Sequence, residues 1–160
     1  MSADPKELYS LLIPLRTERL LVPRMCVAEV IALAEIERRR DEDAPEWLLG
    51  AVDWNGRRLP VVSFDRGEPA LQRERKKPSR ARIVVFHAFS NKLKAGHFGI
   101  LTQGFPQLVR VNAGVVAQDT DTPVPAGLPV LCRVRMIHEF PLIPDIEGIE
   151  DMLAGLPAYA

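Results

Sequence analysis

The side chains best suited to chemistry are three histidines, two cysteines and one serine that follows a strand-like run. None has the spacing that chemistry needs. His87, His97 and His138 each stand alone in a strand-like segment. A metal ligand or general base needs a second group within reach, as a His-x-x-x-His or Asp-x-His pattern would supply. Half-exposed strand residues are therefore the preferred reading of all three. Ser63 lacks a Gly-x-Ser-x-Gly elbow, and no glycine-rich phosphate loop precedes a helix. Cys26 and Cys132 lie in apolar stretches without a Cys-x-x-Cys spacing, which reads as free thiols in a reducing compartment. The acidic groups Glu35/Glu37 and Glu147/Glu150/Asp151 flank a charged link and a helix start, where carboxylates cap and solvate. A hydrolase on Ser63 or Cys132 would lack a base. The expectation is no catalytic residue, no cofactor and no metal.

Charge gives the same direction. Lys+Arg and Asp+Glu are equal at 21 each, so no whole-molecule field favours nucleic acid or an anionic membrane. One local patch competes: Arg73, Arg75, Lys76 and Lys77, followed by Arg80 and Arg82, could contact phosphates. No aromatic residue is interleaved there to stack on bases, so a solvated loop is preferred. A small β-barrel that binds RNA or DNA through this loop stays as the alternative function. The first residues show no basic-then-apolar leader and no apolar run reaches spanning length, so a cytoplasmic protein without membrane insertion is expected.

The elements that would position these residues are short strands. A chain of 160 residues can bury a core without staples. Residues 11–15 and 19–22 read as a first hairpin, and residues 25–33 as a strand rich in β-branched side chains. After the charged link 38–43, the segment PEWLLG has proline near its start and glycine at its end, the asymmetry of a short helical turn. Then AVDWNGRRLPVVSFD carries Asn55-Gly56 between apolar arms, the signature of a two-residue type I′ hairpin. Residues 66–82, broken by Pro69 and Pro78, read as an exposed loop. Further strands are expected at 83–89, 97–102, 108–111, 115–116 and 129–137, and a short helix at 149–153. Many short strands separated by turn signals imply small β-barrels with helix only at the joints.

The order of these features resembles the CheW-like chemotaxis adaptor family. Val27, Ala28, Glu29 and Val30 fit its V-x-E-I-type strand, and residues 45–50 its P-x-x-x-x-G segment. Residues 52–56 fit its V-x-N-x-R-G hairpin, and residues 59–65 its I-x-P-V-x-D strand. Later, GHFGILTQG is similar to the family's G-x-x-x-G-L-x-V-D strand, and the segment from residue 129 to its closing strands and terminal helix. Two departures stand out: Asn55 replaces the usual arginine before the hairpin glycine, and Ser63 replaces the usual aspartate. The loss of that arginine bears on receptor contact. The two tryptophans are similar to those of the divergent branch in twitching and type IV pilus chemosensory systems.

The resemblance implies a mainly β fold of two packed five-stranded SH3-like barrels with short helices. These form one domain over residues 7–155, with flexible tails at 1–6 and 156–160. It implies a non-catalytic adaptor between the regulatory domain of a CheA-type histidine kinase and the cytoplasmic tip of a chemoreceptor, recruitment to receptor arrays, and no nucleic-acid partner. Val27, Glu29, Leu49, Trp54, Asn55 and Gly56 are the expected partner-binding residues. Asn55 and Gly56 also have a purely structural reading, since positive-φ turn positions select them whatever the protein binds.

Overall fold

The run Ile83-Val84-Val85-Phe86 is apolar at every position because both faces of its strand are covered. Ile83 and Val85 point into one core cluster, with Val52, Leu59, Val61 and Leu101. Val84 and Phe86 point into another, with Phe98, Ile100, Ile13, Leu20 and Leu142. The computed structural model describes residues 7–33, 45–65 and 80–160, and this double burial organises them.

Eleven strands are described: β1 Leu8–Pro14, β2 Arg19–Pro23, β3 Val27–Ala32, β4 Leu48–Trp54, β5 Arg57–Val62, β6 Arg82–His87, β7 His97–Thr102, β8 Gln107–Val111, β9 Ala117–Asp119, β10 Val130–Arg135 and β11 Leu142–Pro144. A 3-10 turn, Arg24–Cys26, joins β2 to β3, and one helix, α1 Ile146–Ala154, follows β11. The strands form a six-stranded sheet of order β8-β1-β2-β11-β10-β9 and a five-stranded sheet of order β3-β6-β7-β5-β4. The mainly β fold with two subdomains is as expected, and the first sheet carries one strand more than the five anticipated. Ile13, Leu20, Val22 and Leu142 of the larger sheet meet Val84, Phe86, Phe98 and Ile100 of the smaller one, and Ile146, Ile149 and Leu153 of α1 join the same cluster.

Several elements differ from the sequence expectation for local reasons. Only Glu46 and Trp47 of PEWLLG form a turn, closed by the Leu48 N–H donating to the Pro45 carbonyl at 3.1 Å. Leu48–Gly50 instead opens β4, because Leu48 is buried opposite Val62 and pairing outweighs the helical end signals. Val115 and Val116 form no strand: both their N–H groups donate to the Asn112 carbonyl, and the Asn112 side chain accepts from Gly114 at 2.7 Å, which fixes a turn. The strand comes just after, at Ala117. α1 starts at Ile146, three residues before the expected 149, since Asp145 caps it by accepting from the Gly148 N–H at 3.0 Å. Residues 156–160, expected as a flexible tail, are placed against the body: Tyr159 is buried and its carbonyl accepts from the Lys94 N–H at 3.0 Å.

The tail at 1–6, the charged link at 38–43 and most of the exposed loop, including Arg73, Arg75, Lys76 and Lys77, lie outside the described residues. Cys26 is buried and Cys132 half-buried, both free, and burial pushes the Cys26 thiol up. Ser63 directs its hydroxyl to the backbone of Asp65, donating to its carbonyl and accepting from its N–H, both at 3.1 Å. That places it as a turn residue. No helix among the described residues is long and apolar enough to cross a membrane.

Candidate functional site

Strands β3 and β4 lie at opposite edges of the five-stranded sheet, yet their side chains meet. Trp54 Nε1–H of β4 donates to Glu29 Oε2 of β3 at 2.8 Å. The sheet is therefore rolled, with the Ile83, Val85 and Leu101 cluster inside and a bond between its two edges at one end.

A β-bulge makes that bond available. Val27 pairs with Phe86 but Glu29 pairs with Val85, so Ala28 is the extra residue. Side chains alternate faces along a strand, and without the bulge Glu29 would share the face of Val27 and point to the core between the sheets. With it, Val27 packs on that shared core, Ala28 packs on the rolled cluster, and Glu29, now opposite Val85, stays exposed where it can reach Trp54. β4 repeats the device: Leu48 pairs with Val62 and Gly50 with Val61, leaving Leu49 extra and its side chain on the interior cluster. Gly50 takes φ 139° there, a conformation that side chains rarely adopt.

The end of the roll carries one residue from each of its five strands. Trp54 lies against the His97 ring of β7 at 4.8 Å between centroids, tilted by 57°. His97 faces His87 of β6, its cross-strand partner, with His87 Nδ1 and His97 Nε2 3.1 Å apart. Arg57 of β5, opposite Trp54, donates from Nη1 to the Ala95 carbonyl at 3.0 Å. Glu29 completes the rim. The hairpin turn projects from it: Asn55 has φ 49° and Gly56 φ 73°, the paired positive values of a type I′ turn. No atom stands within 4 Å of where a Gly56 Cβ would be, so backbone conformation alone selects glycine there.

The structure thus brings together four of the six expected partner-binding residues, Glu29, Trp54, Asn55 and Gly56. Leu49 sits five residues up β4 from Trp54, about 15 Å along the strand. Val27 faces the other core and is half-buried there. Trp47 also packs on the shared core, where it holds the turn before β4. The sequence reading left His87 and His97 as isolated residues, and this is corrected: they are a cross-strand pair. The signal was the hairpin itself, because pairing Arg82 with Thr102 puts His87 opposite His97.

Chemically the rim is an aromatic and imidazole surface with a carboxylate and a guanidinium at its edges. Glu29 is exposed and Trp54 half-buried with its N–H satisfied, so the indole can present a face without leaving a buried donor unpaired. No group of three or more His, Cys, Asp or Glu among the described residues could hold a metal ion. This is the make-up of a contact surface: an amphipathic aromatic anchor with a polar border.

Comparison with known proteins gives a consistent result. The sequence profile of the CheW-like domain matches residues 10–128. No curated protein sequence matches significantly. Among solved structures, the scaffolding protein TtCheW from Thermoanaerobacter tengcongensis superposes with a TM-score of 0.61 at 12% identity, covering 87% of this chain and 89% of that one. At that identity the likeness concerns the fold. It extends the β architecture beyond residue 128, where the profile ends, towards β10, β11 and α1.

Proposed function

The chain belongs to the CheW-like domain family, and on that premise we propose that it is a non-catalytic scaffold of a chemosensory system. In this reading it couples a CheA-type kinase regulatory domain to the cytoplasmic tip of a chemoreceptor. The observation that carries the reading is the rim of the five-stranded sheet, where Trp54 is fixed by Glu29 and His97 beside the exposed Asn55-Gly56 turn. An amphipathic helix laid against that rim would cover the indole face while its polar side met Glu29 and Arg57. Rigid aromatic anchors with a satisfied polar handle are frequent hot spots because ordering them on binding costs little. The Thermoanaerobacter protein of similar fold is a scaffolding protein, which agrees with this reading.

The test is a pull-down, quantified by calorimetry, of the full chain against the kinase regulatory domain and, separately, a receptor tip fragment. Trp54→Ala should lower affinity for one of them by about 2 kcal/mol while circular dichroism stays unchanged. If neither partner binds the parent protein, or if a folded Trp54→Ala binds both as well as the parent, the rim is not the coupling surface. Val27 packs on the shared core and is half-buried, so a charge placed there would lower stability as well as any contact, and a Val27→Glu variant would not separate the two.

A further inference from the structure

We infer that His87 and His97 form a two-nitrogen chelate for a divalent late transition metal ion of the Zn²⁺ class. The two rings sit on β6 and β7, inner strands of the five-stranded sheet, as directly opposed residues, so the backbone holds them in place. His87 Nδ1 and His97 Nε2 are 3.1 Å apart. Two imidazole nitrogens at about 2.0–2.1 Å from one zinc ion, separated by that much, subtend about 100° at the metal, close to the tetrahedral angle. Turning the two rings about their side-chain torsions, so that both lone pairs aim at one point beside the N···N line, converts the pair into a chelate.

Protonation is arranged for it. His97 Nδ1 lies 3.3 Å from the Ala95 carbonyl. A carbonyl only accepts, so in that contact Nδ1 carries the proton, which leaves Nε2 as the nitrogen whose lone pair a metal would take. Hydrogen-bonding the remote nitrogen to a backbone carbonyl is how metal-binding imidazoles are commonly oriented. Trp54 packs against the same ring at 4.8 Å and restrains it further. The Ala95 carbonyl also accepts from Arg57, and its two lone pairs serve both donors.

The donor set defines the metal. Imidazole nitrogens favour zinc, copper and nickel over magnesium or calcium, which prefer oxygen. With two protein donors and His87 exposed, water fills the remaining positions, so the site is an exchangeable surface chelate rather than a structural zinc centre. His138, distant in sequence on the turn between β10 and β11, takes no part.

The test is isothermal titration of ZnCl₂ into the untagged full chain and three variants: His87→Asn, His97→Asn and His138→Asn. The parent should show one saturable zinc equivalent, the first two variants should bind at least about tenfold more weakly, and the third should match the parent. Because His97 is half-buried, His87→Asn at an exposed position carries the decision if His97→Asn folds poorly. Absence of saturable binding by the parent overturns the inference, as does His87→Asn binding zinc within twofold of it. The titration contains no protein partner, so its outcome is independent of the scaffold reading.

Discussion

The two sheets are held together by different means. Inside the rolled five-stranded sheet, Val52, Leu59, Val61, Ile83, Val85 and Leu101 are all but fully buried and pack on one another as apolar volume. At the far end of the six-stranded sheet, Arg133 is buried on the face of β10 that looks towards the shared core, its neighbour Val134 pointing the other way into a small cluster with Leu12, Leu21 and Val111. Its guanidinium makes a two-point pair with Glu18, both contacts at 2.9 Å, and also donates to the carbonyls of Phe140 at 2.6 Å and Pro123 at 3.0 Å. One region fills its interior with apolar volume. The other ties three loops to a single planar cation, and the difference sets how each should fail.

The largest effect is expected at Arg133. Arg133→Ala leaves a part-buried carboxylate and two carbonyls without their donor, and removal of one partner from a buried pair costs about 3 kcal/mol or more. Urea denaturation should show that loss with an unchanged slope. The hydrogen bonds that the guanidinium donates to Glu18 hold its pKa up, so it stays charged throughout. Arg133→Lys keeps the charge but cannot serve Glu18 at two points and two carbonyls at once, so it should recover less than half of the loss. Full recovery by lysine would show that charge alone, without the fork, holds the loops.

Next comes Gly99, where the apolar region is tightest. A Cβ there would lie 2.6 Å from the Ile83 Cγ2 atom, 3.4 Å from Leu59 and 3.5 Å from Val61. Overpacking makes Gly99→Ala cost about 1–3 kcal/mol. In an Ile83→Ala background the same substitution should cost almost nothing, because the obstructing methyl is gone. An equal cost in both backgrounds would locate the strain elsewhere than at the Ile83 methyl.

Much of this architecture was legible because it rests on local pattern. Asn55-Gly56 between apolar arms can hardly be anything but a type I′ turn, and the continuous apolar run in β6 announces a strand covered on both faces. The register details were not. The bulges at Ala28 and Leu49 shift alternation by one residue, and only the pairing partners reveal them. For that reason Val27 and Glu29, two apart in sequence, read as one surface although Val27 packs on the shared core and Glu29 is exposed at the rim. Glu46-Trp47 looked helical because the end signals were right and the pairing of Leu48 with Val62 lies outside any local window. The same holds for Arg133, whose partner Glu18 is 115 residues away.

A smaller effect distinguishes the rim from both interiors. Trp54→Phe keeps the aromatic contact with His97 but removes the N–H that bonds Glu29 across the sheet edges. The pair is solvent-exposed, so the loss should be about 1 kcal/mol or less, with Glu29→Gln nearly silent because its amide oxygen still accepts. A loss of more than about twice that would mean that the edge-to-edge bond, rather than the apolar interior, keeps the sheet rolled.

The smallest expected effect is on acid stability, and it again separates the two sheets. Asp119, at the end of β9, accepts from the N–H groups of Asp121 at 3.0 Å and Thr122 at 3.3 Å, which fixes the loop leading to Pro123 and hence to Arg133. Bonding with Thr122, reinforced by these backbone donors and Arg135, holds the carboxyl below its ordinary value of 3.8 against the opposing effect of burial. A carboxyl whose folded pKa is depressed contributes stability above its unfolded pKa and loses it as pH falls through the lowered folded value. Acidification below about pH 4 should therefore loosen β9 and its loop while β6 and β7, whose pairing is flanked by apolar cores, stay protected from amide exchange. Asp119→Asn, which still accepts these bonds but does not titrate there, should flatten that part of the profile. If acid opens both sheets together in the parent and in Asp119→Asn alike, the two regions unfold as one unit and their different interiors do not make separate contributions to acid sensitivity.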